Sequence, residues 1–84
     1  MIISFDPTAF DDYNRWAEQD YKIFLRIGKL LKDINRDPFR GIGKPEPLKH
    51  EYAGFWSRRI TDEHRLVYKY TTEVLYVASC RYHY

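Results

Sequence analysis

Cysteine is almost missing from this chain: Cys80 is the only one in 84 residues. An intramolecular disulfide is therefore excluded, and a secreted domain of this size normally needs several. A reducing cytoplasm is the expected compartment. Long apolar runs are absent too, since nothing approaches the roughly 20 residues of a membrane span. The opening segment, Met1-Ile-Ile-Ser-Phe-Asp6, has no basic stretch ahead of an apolar one and does not read as a signal peptide. Metal-ligand spacing is likewise lacking. His50, His64 and His83 stand 14 and 19 residues apart with no second ligand two to four residues further along the chain, and there is neither a cysteine pair nor an HExxH run. No metal and no cofactor are expected. Glycine is sparse, and Gly41-Ile-Gly43 lacks the rest of either nucleotide-binding fingerprint.

What the chain does have is rings and charge. Aromatics make up 18% of it, with eight tyrosines, five phenylalanines and two tryptophans, within a composition 44% hydrophobic and 31% charged. This is the profile of one globular domain, 1–84, with a small core: such a chain buries only about 60–65% of the surface its unfolded form exposes. The net charge of +2 is unevenly spread. Residues 1–35 carry five Lys/Arg against six Asp/Glu, and residues 36–84 carry nine against six. A cationic half rich in rings suits a polyanion.

Residues 2–5 are β-branched and aromatic and read as a strand, ended by Asp6-Pro7. Asp6 fits an N-cap and Pro7 the first helical position, where its missing N–H costs nothing. The pattern predicts a helix over 7–18 with Phe10, Tyr13, Trp16 and Ala17 inward. Gln19-Asp20 interrupts it and Asp20 caps a second helix, whose Ile23, Ile27, Leu30, Leu31 and Ile34 follow the helical template. Two helices so closely joined form an antiparallel hairpin. Residues 37–47 hold three of the four prolines and two of the four glycines, an ordered loop able to present a side chain.

The remainder reads as β. Residues 55–61 alternate, with Trp56 and Ile60 on one side and Ser57, Arg59 and Thr61 on the other. Leu66, Tyr68 and Tyr70 alternate against Arg65, Val67 and Lys69. If Ile60 and Leu66 both enter the core, Thr61 pairs with Arg65 across a three-residue turn, and Arg59 and Arg65 share the polar face. A two-residue turn would set Ile60 against Arg65, a poorer pattern. A last strand over about 74–82 is apolar on both sides and should be central, with Cys80 filling space. The expected architecture is α+β, a two-helix hairpin packed on one face of a twisted antiparallel sheet.

Polar residues from several segments remain. Glu46 stands between Pro45 and Pro47, followed by Lys49 and His50; Arg58, Arg59 and Arg65 lie on neighbouring strands; His83 is penultimate. A carboxylate, guanidinium groups and an imidazole are what RNA scission by internal transesterification needs. A base takes the 2′-hydroxyl proton, fixed positive charge stabilises the phosphorane, and an acid protonates the leaving 5′-oxygen. The same residues also fit a polyanion-binding module, or a solvated surface on a protein with another task, and spacing alone leaves all three readings open.

Three segments carry a resemblance. Gly43-Lys-Pro-Glu-Pro-Leu-Lys-His50, Gly54-Phe-Trp-Ser-Arg-Arg-Ile-Thr-Asp-Glu-His-Arg-Leu-Val-Tyr68 and Cys80-Arg-Tyr-His-Tyr84 closely resemble the YoeB (Txe) toxins of the RelE superfamily, found in bacterial toxin–antitoxin systems. The likeness is dense over 38–84, while 1–37 agree in length and pattern. It implies a microbial-ribonuclease-like fold and a metal-independent, ribosome-dependent endoribonuclease that cuts messenger RNA in the decoding site. It also implies a cognate YefM-type antitoxin, and family members form homodimers. By position, Glu46 would be the general base, His83 the general acid, and Arg65 the group stabilising the transition state. Lys49, Arg59, Glu63 and Tyr84 would contact or orient the RNA. The alternatives are a non-catalytic toxin on this scaffold and an RNA-binding module neutralised by an antitoxin.

Overall fold

A computed structural model describes residues 1–82. The chain order is β1 (Ile2–Phe5), α1 (Pro7–Gln19), α2 (Tyr21–Arg36), β2 (Glu46–Pro47), a 3-10 turn (His50–Tyr52), β3 (Trp56–Arg59), β4 (Arg65–Tyr70) and β5 (Val74–Ser79). The helix ends follow from side-chain chemistry. Asp6 Oδ2 accepts from the Thr8 amide at 3.0 Å, with Pro7 opening α1. Asp20 serves two helices at once: its own N–H donates to the Trp16 carbonyl at 2.9 Å, closing α1. Its carboxylate accepts from the Lys22 and Ile23 amides, opening α2. One residue therefore makes the hairpin joint.

The α2 stripe lies where the periodicity puts it, with Ile23, Ile27, Leu30, Leu31 and Ile34 all buried. On α1 the inward face is Ala9, Tyr13 and Trp16, whereas Phe10, expected inside, is 51% exposed and meets the ring of Phe5 edge to face. The reason is close approach. Ala9 is 1% exposed and its carbonyl accepts from the Cys80 thiol at 3.4 Å, a contact that a phenyl ring on that line would block.

The sheet has the order β1-β5-β4-β3-β2. It is antiparallel from β2 to β5 and departs from the expected pattern at one edge, where β1 runs parallel to β5. β5 is central, as its two-sided apolar pattern requires, but it ends at Ser79 rather than near 82. A bulge accounts for that. Val67 opposes Ser79 while Tyr68 opposes Val77, so β5 carries one extra residue, Ala78, and the strand is turned out of its ladder.

Cys80 is fully buried, and burial pushes its thiol pKa up to about 12. At pH 8 only about one molecule in 10⁴ then carries the reactive thiolate. Alkylation at that pH is expected to be negligible in the native protein and to appear in step with unfolding by urea, as mass spectrometry would show.

Candidate active site

The sheet face away from the helices is built by β2, β3 and β4. Glu46 opposes Ser57, and Arg59 opposes Arg65. Strand alternation puts Ser57 and Arg59 on one face, so Glu46, Arg59 and Arg65 share it. Directly opposed side chains have Cβ atoms about 4.5–5.5 Å apart and diagonal neighbours about 7–8 Å. Glu46 is thus diagonal to Arg59, and Arg59 faces Arg65.

The observed register differs from the expected Thr61–Arg65 pairing by two residues. Thr61 is drawn into the connection instead, where its Oγ1 accepts from the Glu63 and His64 amides at 3.2 and 3.1 Å. The His64 carbonyl in turn accepts from the Ile60 and Thr61 amides. A shift of two preserves faces, so Ile60 and Leu66 are still buried and the two arginines still share the outer side. The shift brings the guanidinium-bearing residues directly opposite each other. Like charges so placed oppose folding, and a bound polyanion would relieve the repulsion. Arg65 is partly restrained, its Nη1 donating to the Thr61 carbonyl at 3.1 Å and to that of Asp62 at 3.4 Å. Arg59 is exposed, and among the described residues no partner holds its guanidinium.

Glu46 is exposed on the short edge strand, and its carboxylate accepts no hydrogen bond among the described residues. Lys49 is also exposed, just before the 3-10 turn. Glu63 lies exposed in the β3–β4 connection with its carboxylate 3.5 Å from His64 Nε2. His83 and Tyr84 fall outside the described residues. The tail leading to them can be followed to Tyr82, whose carbonyl accepts from the Arg65 amide at 3.1 Å.

Arg58 does not belong to the cationic face. It points inward, 0% exposed, and makes five hydrogen bonds: to Asp33 Oδ2 at 2.6 Å, to the carbonyls of Asp37, Arg40 and Ile42, and from Nε to the Tyr68 hydroxyl. The Tyr68 hydroxyl donates onward to the Pro38 carbonyl at 2.6 Å. Asp33 Oδ2 also accepts from the Ile42 amide at 2.9 Å. This knot ties the loop after α2 to β3, and with it the approach to Glu46. The Arg58 hydrogen bond, followed by that of Ile42, lowers the Asp33 pKa to about 2. The period-2 pattern carried the signal, because Arg58 has the parity of Trp56 and Ile60. His64 also lacks a sequence-level role, yet it is buried and its Nδ1 accepts from the Tyr82 amide at 2.8 Å.

Among the described residues, no group of three His, Cys, Asp or Glu side chains could hold a metal ion, and no helix is long and apolar enough to cross a membrane. A concavity of about 640 Å³ on the outer side of α2, lined partly by Phe24, Leu25 and Lys29, includes none of the site residues.

A two-helix hairpin on a five-stranded mixed sheet, with arginines opposed on the free face, defines a small α+β protein with a cationic site. Residues 5–84 match the family model described as "YoeB-like toxin of bacterial type II toxin-antitoxin system". The toxin YoeB of Escherichia coli K12 is 55% identical over 84 residues, covering 100% of both chains. The solved YoeB/ParE toxin from Agrobacterium tumefaciens superposes with a TM-score of 0.96 at 44% identity, covering all of both chains. The Staphylococcus aureus toxin covers 100% of this chain and 98% of its own in two structures. One is a YoeB–YefM complex (TM-score 0.93, 46% identity) and the other a YoeB dimer (0.94, 47%). This chain belongs to the YoeB family of type II toxin–antitoxin toxins.

Proposed function

We propose that the protein is an endoribonuclease that cleaves messenger RNA in the decoding site of the ribosome and so stops translation. The observation that carries this reading is the direct opposition of Arg59 and Arg65 on an open face, with Glu46 diagonal to the pair. Glu46 takes the proton of a 2′-hydroxyl, and the freed oxygen attacks the adjacent phosphorus. Arg65 stabilises the negative charge of the phosphorane through its planar, bidentate fork. The P–O5′ bond breaks, His83 protonates the departing oxygen, and the products are a 2′,3′-cyclic phosphate and a 5′-hydroxyl. No step calls on a metal. Lys49, Arg59, Glu63 and Tyr84 hold and orient the strand.

Ribosome dependence follows from the charge. Backbone affinity scales with the number of phosphates neutralised, and a net charge of +2 leaves naked RNA weakly bound. A ribosome that presents the codon supplies orientation instead, an effect worth roughly 7–11 kcal/mol. The Staphylococcus aureus relative solved with YefM supports an antitoxin partner of that type here, acidic and apolar, ordering as it covers the cleft in the cytoplasm. The relative solved as a dimer supports self-association.

Mapping of message ends after incubation with the purified protein tests the reading. Cuts within codons, bearing cyclic phosphates, are expected on translated message and not on the same RNA without ribosomes. An intact message under translation, with growth still arrested on expression, would favour a non-catalytic toxin.

A further inference from the structure

Past β5 the tail is held residue by residue. The Cys80 carbonyl accepts from Trp16 Nε1 at 3.0 Å. The Arg81 guanidinium lies 4.6 Å from the Trp16 ring centre and donates to Gln19 Oε1 at 3.0 Å. Tyr82 is gripped through both of its peptide groups: its N–H donates to His64 Nδ1 at 2.8 Å and its carbonyl accepts from the Arg65 amide at 3.1 Å. Such a grip is needed, because Tyr82 has φ +61°, a left-handed conformation that an aromatic residue rarely adopts unaided.

His64 is built to supply that grip. It is 6% exposed; its amide is fixed by Thr61 Oγ1 and its carbonyl by the Ile60 and Thr61 amides. Its ring stands edge-on to Trp16, with centroids 4.8 Å apart, and is tilted against the Tyr82 ring at 5.1 Å. Because Nδ1 accepts, the ring proton belongs on Nε2, towards Glu63.

We propose that His64 is a positioning residue for the cleavage reaction, acting through the Tyr82 amide to set the backbone from which His83 departs. The inference rests on the nuclease reading above. Adjacent Cα atoms are about 3.8 Å apart, so an error in the Tyr82 peptide passes directly to the next residue. A displacement of about 1 Å at a reacting group is enough to lower a rate about 10²-fold.

Two variants separate the acceptor from the packing. His64→Phe keeps a ring beside Trp16 and removes the acceptor, whereas His64→Asn is smaller and returns an oxygen near the Nδ1 position. Single-turnover cleavage on programmed ribosomes, measured against toxin concentration, is expected to show His64→Phe with a maximal rate about 10²-fold lower and an unchanged half-saturating concentration. In the free protein the Tyr82 amide should exchange faster with deuterium. His64→Asn should recover most of both properties. Full cleavage by a folded His64→Phe protein would overturn the proposal, as would full Tyr82 protection in it, or an Asn variant no better than the Phe variant in either reading. The two failures are distinct: no cleavage by the wild-type protein sinks the nuclease reading, while undiminished cleavage by His64→Phe sinks the clamp.

Discussion

Glu46→Ala is expected to slow cleavage of ribosome-bound message by about 10²–10⁴-fold, the usual contribution of one general acid–base group, while the fold is unaffected. The two halves of that expectation have separate grounds. Glu46 is exposed, lies on an edge strand of two residues, and its carboxylate binds nothing among the described residues. Surface replacements of that kind usually change stability by no more than about 0.5 kcal/mol. The flanking prolines keep their backbone restriction in the variant, so the loop retains its course. Single-turnover kinetics with thermal unfolding on the same sample checks both. An alanine variant that cleaves at the wild-type rate removes Glu46 from the mechanism.

Arg58→Ala should have the opposite profile, with stability lost first and activity as a consequence. Removing Arg58 takes a donor from the part-buried Asp33 carboxylate, from three loop carbonyls and from the Tyr68 hydroxyl. A buried polar group left without its partner typically costs about 1–3 kcal/mol. At roughly 4–8 °C per kcal/mol for a domain of this size, calorimetry would show a large fall in melting temperature. Acid offers a second reading of the same knot. Asp33 has its pKa lowered from 3.8 to about 2, so the fold favours its ionised form. Its contribution is complete above about pH 4 and drains away as the pH falls towards 2. A urea midpoint followed over that range should decline in the wild-type protein and decline less steeply in Arg58→Ala.

Some of this architecture could be seen in the amino acids and some could not, for identifiable reasons. The α2 stripe and the caps at Asp6 and Asp20 are local chemistry, and local chemistry is written in order along the chain. Tyr13 and Trp16 face inward as the period requires, but ring size alone would also draw Phe10 inside, where the space beside Cys80 takes Ala9. Alternation told which side Arg59 and Arg65 occupy but is blind to a shift of two, which returns every side chain to its own face. Arg58 obeyed the same alternation, yet its charge argued for water, and only Asp33, 25 residues earlier, reverses that argument. The parallel pairing of β1 with β5 joins residues 72 apart and leaves no local trace. Of the candidate site, the face shared by Arg59 and Arg65 is legible in the alternation, while His83 and Tyr84 lie outside the described residues.

That long-range pairing has a consequence for the cell that makes this protein. β5, an inner strand of the sheet, is the last of the described strands to be synthesised, and the strand it must join on one side, β1, is the first. A growing chain can form its helical hairpin early, but it cannot assemble the cationic surface's support until translation of β5 is complete. The fold thereby completes its sheet, and the surface that the sheet carries, only after β5 has been made.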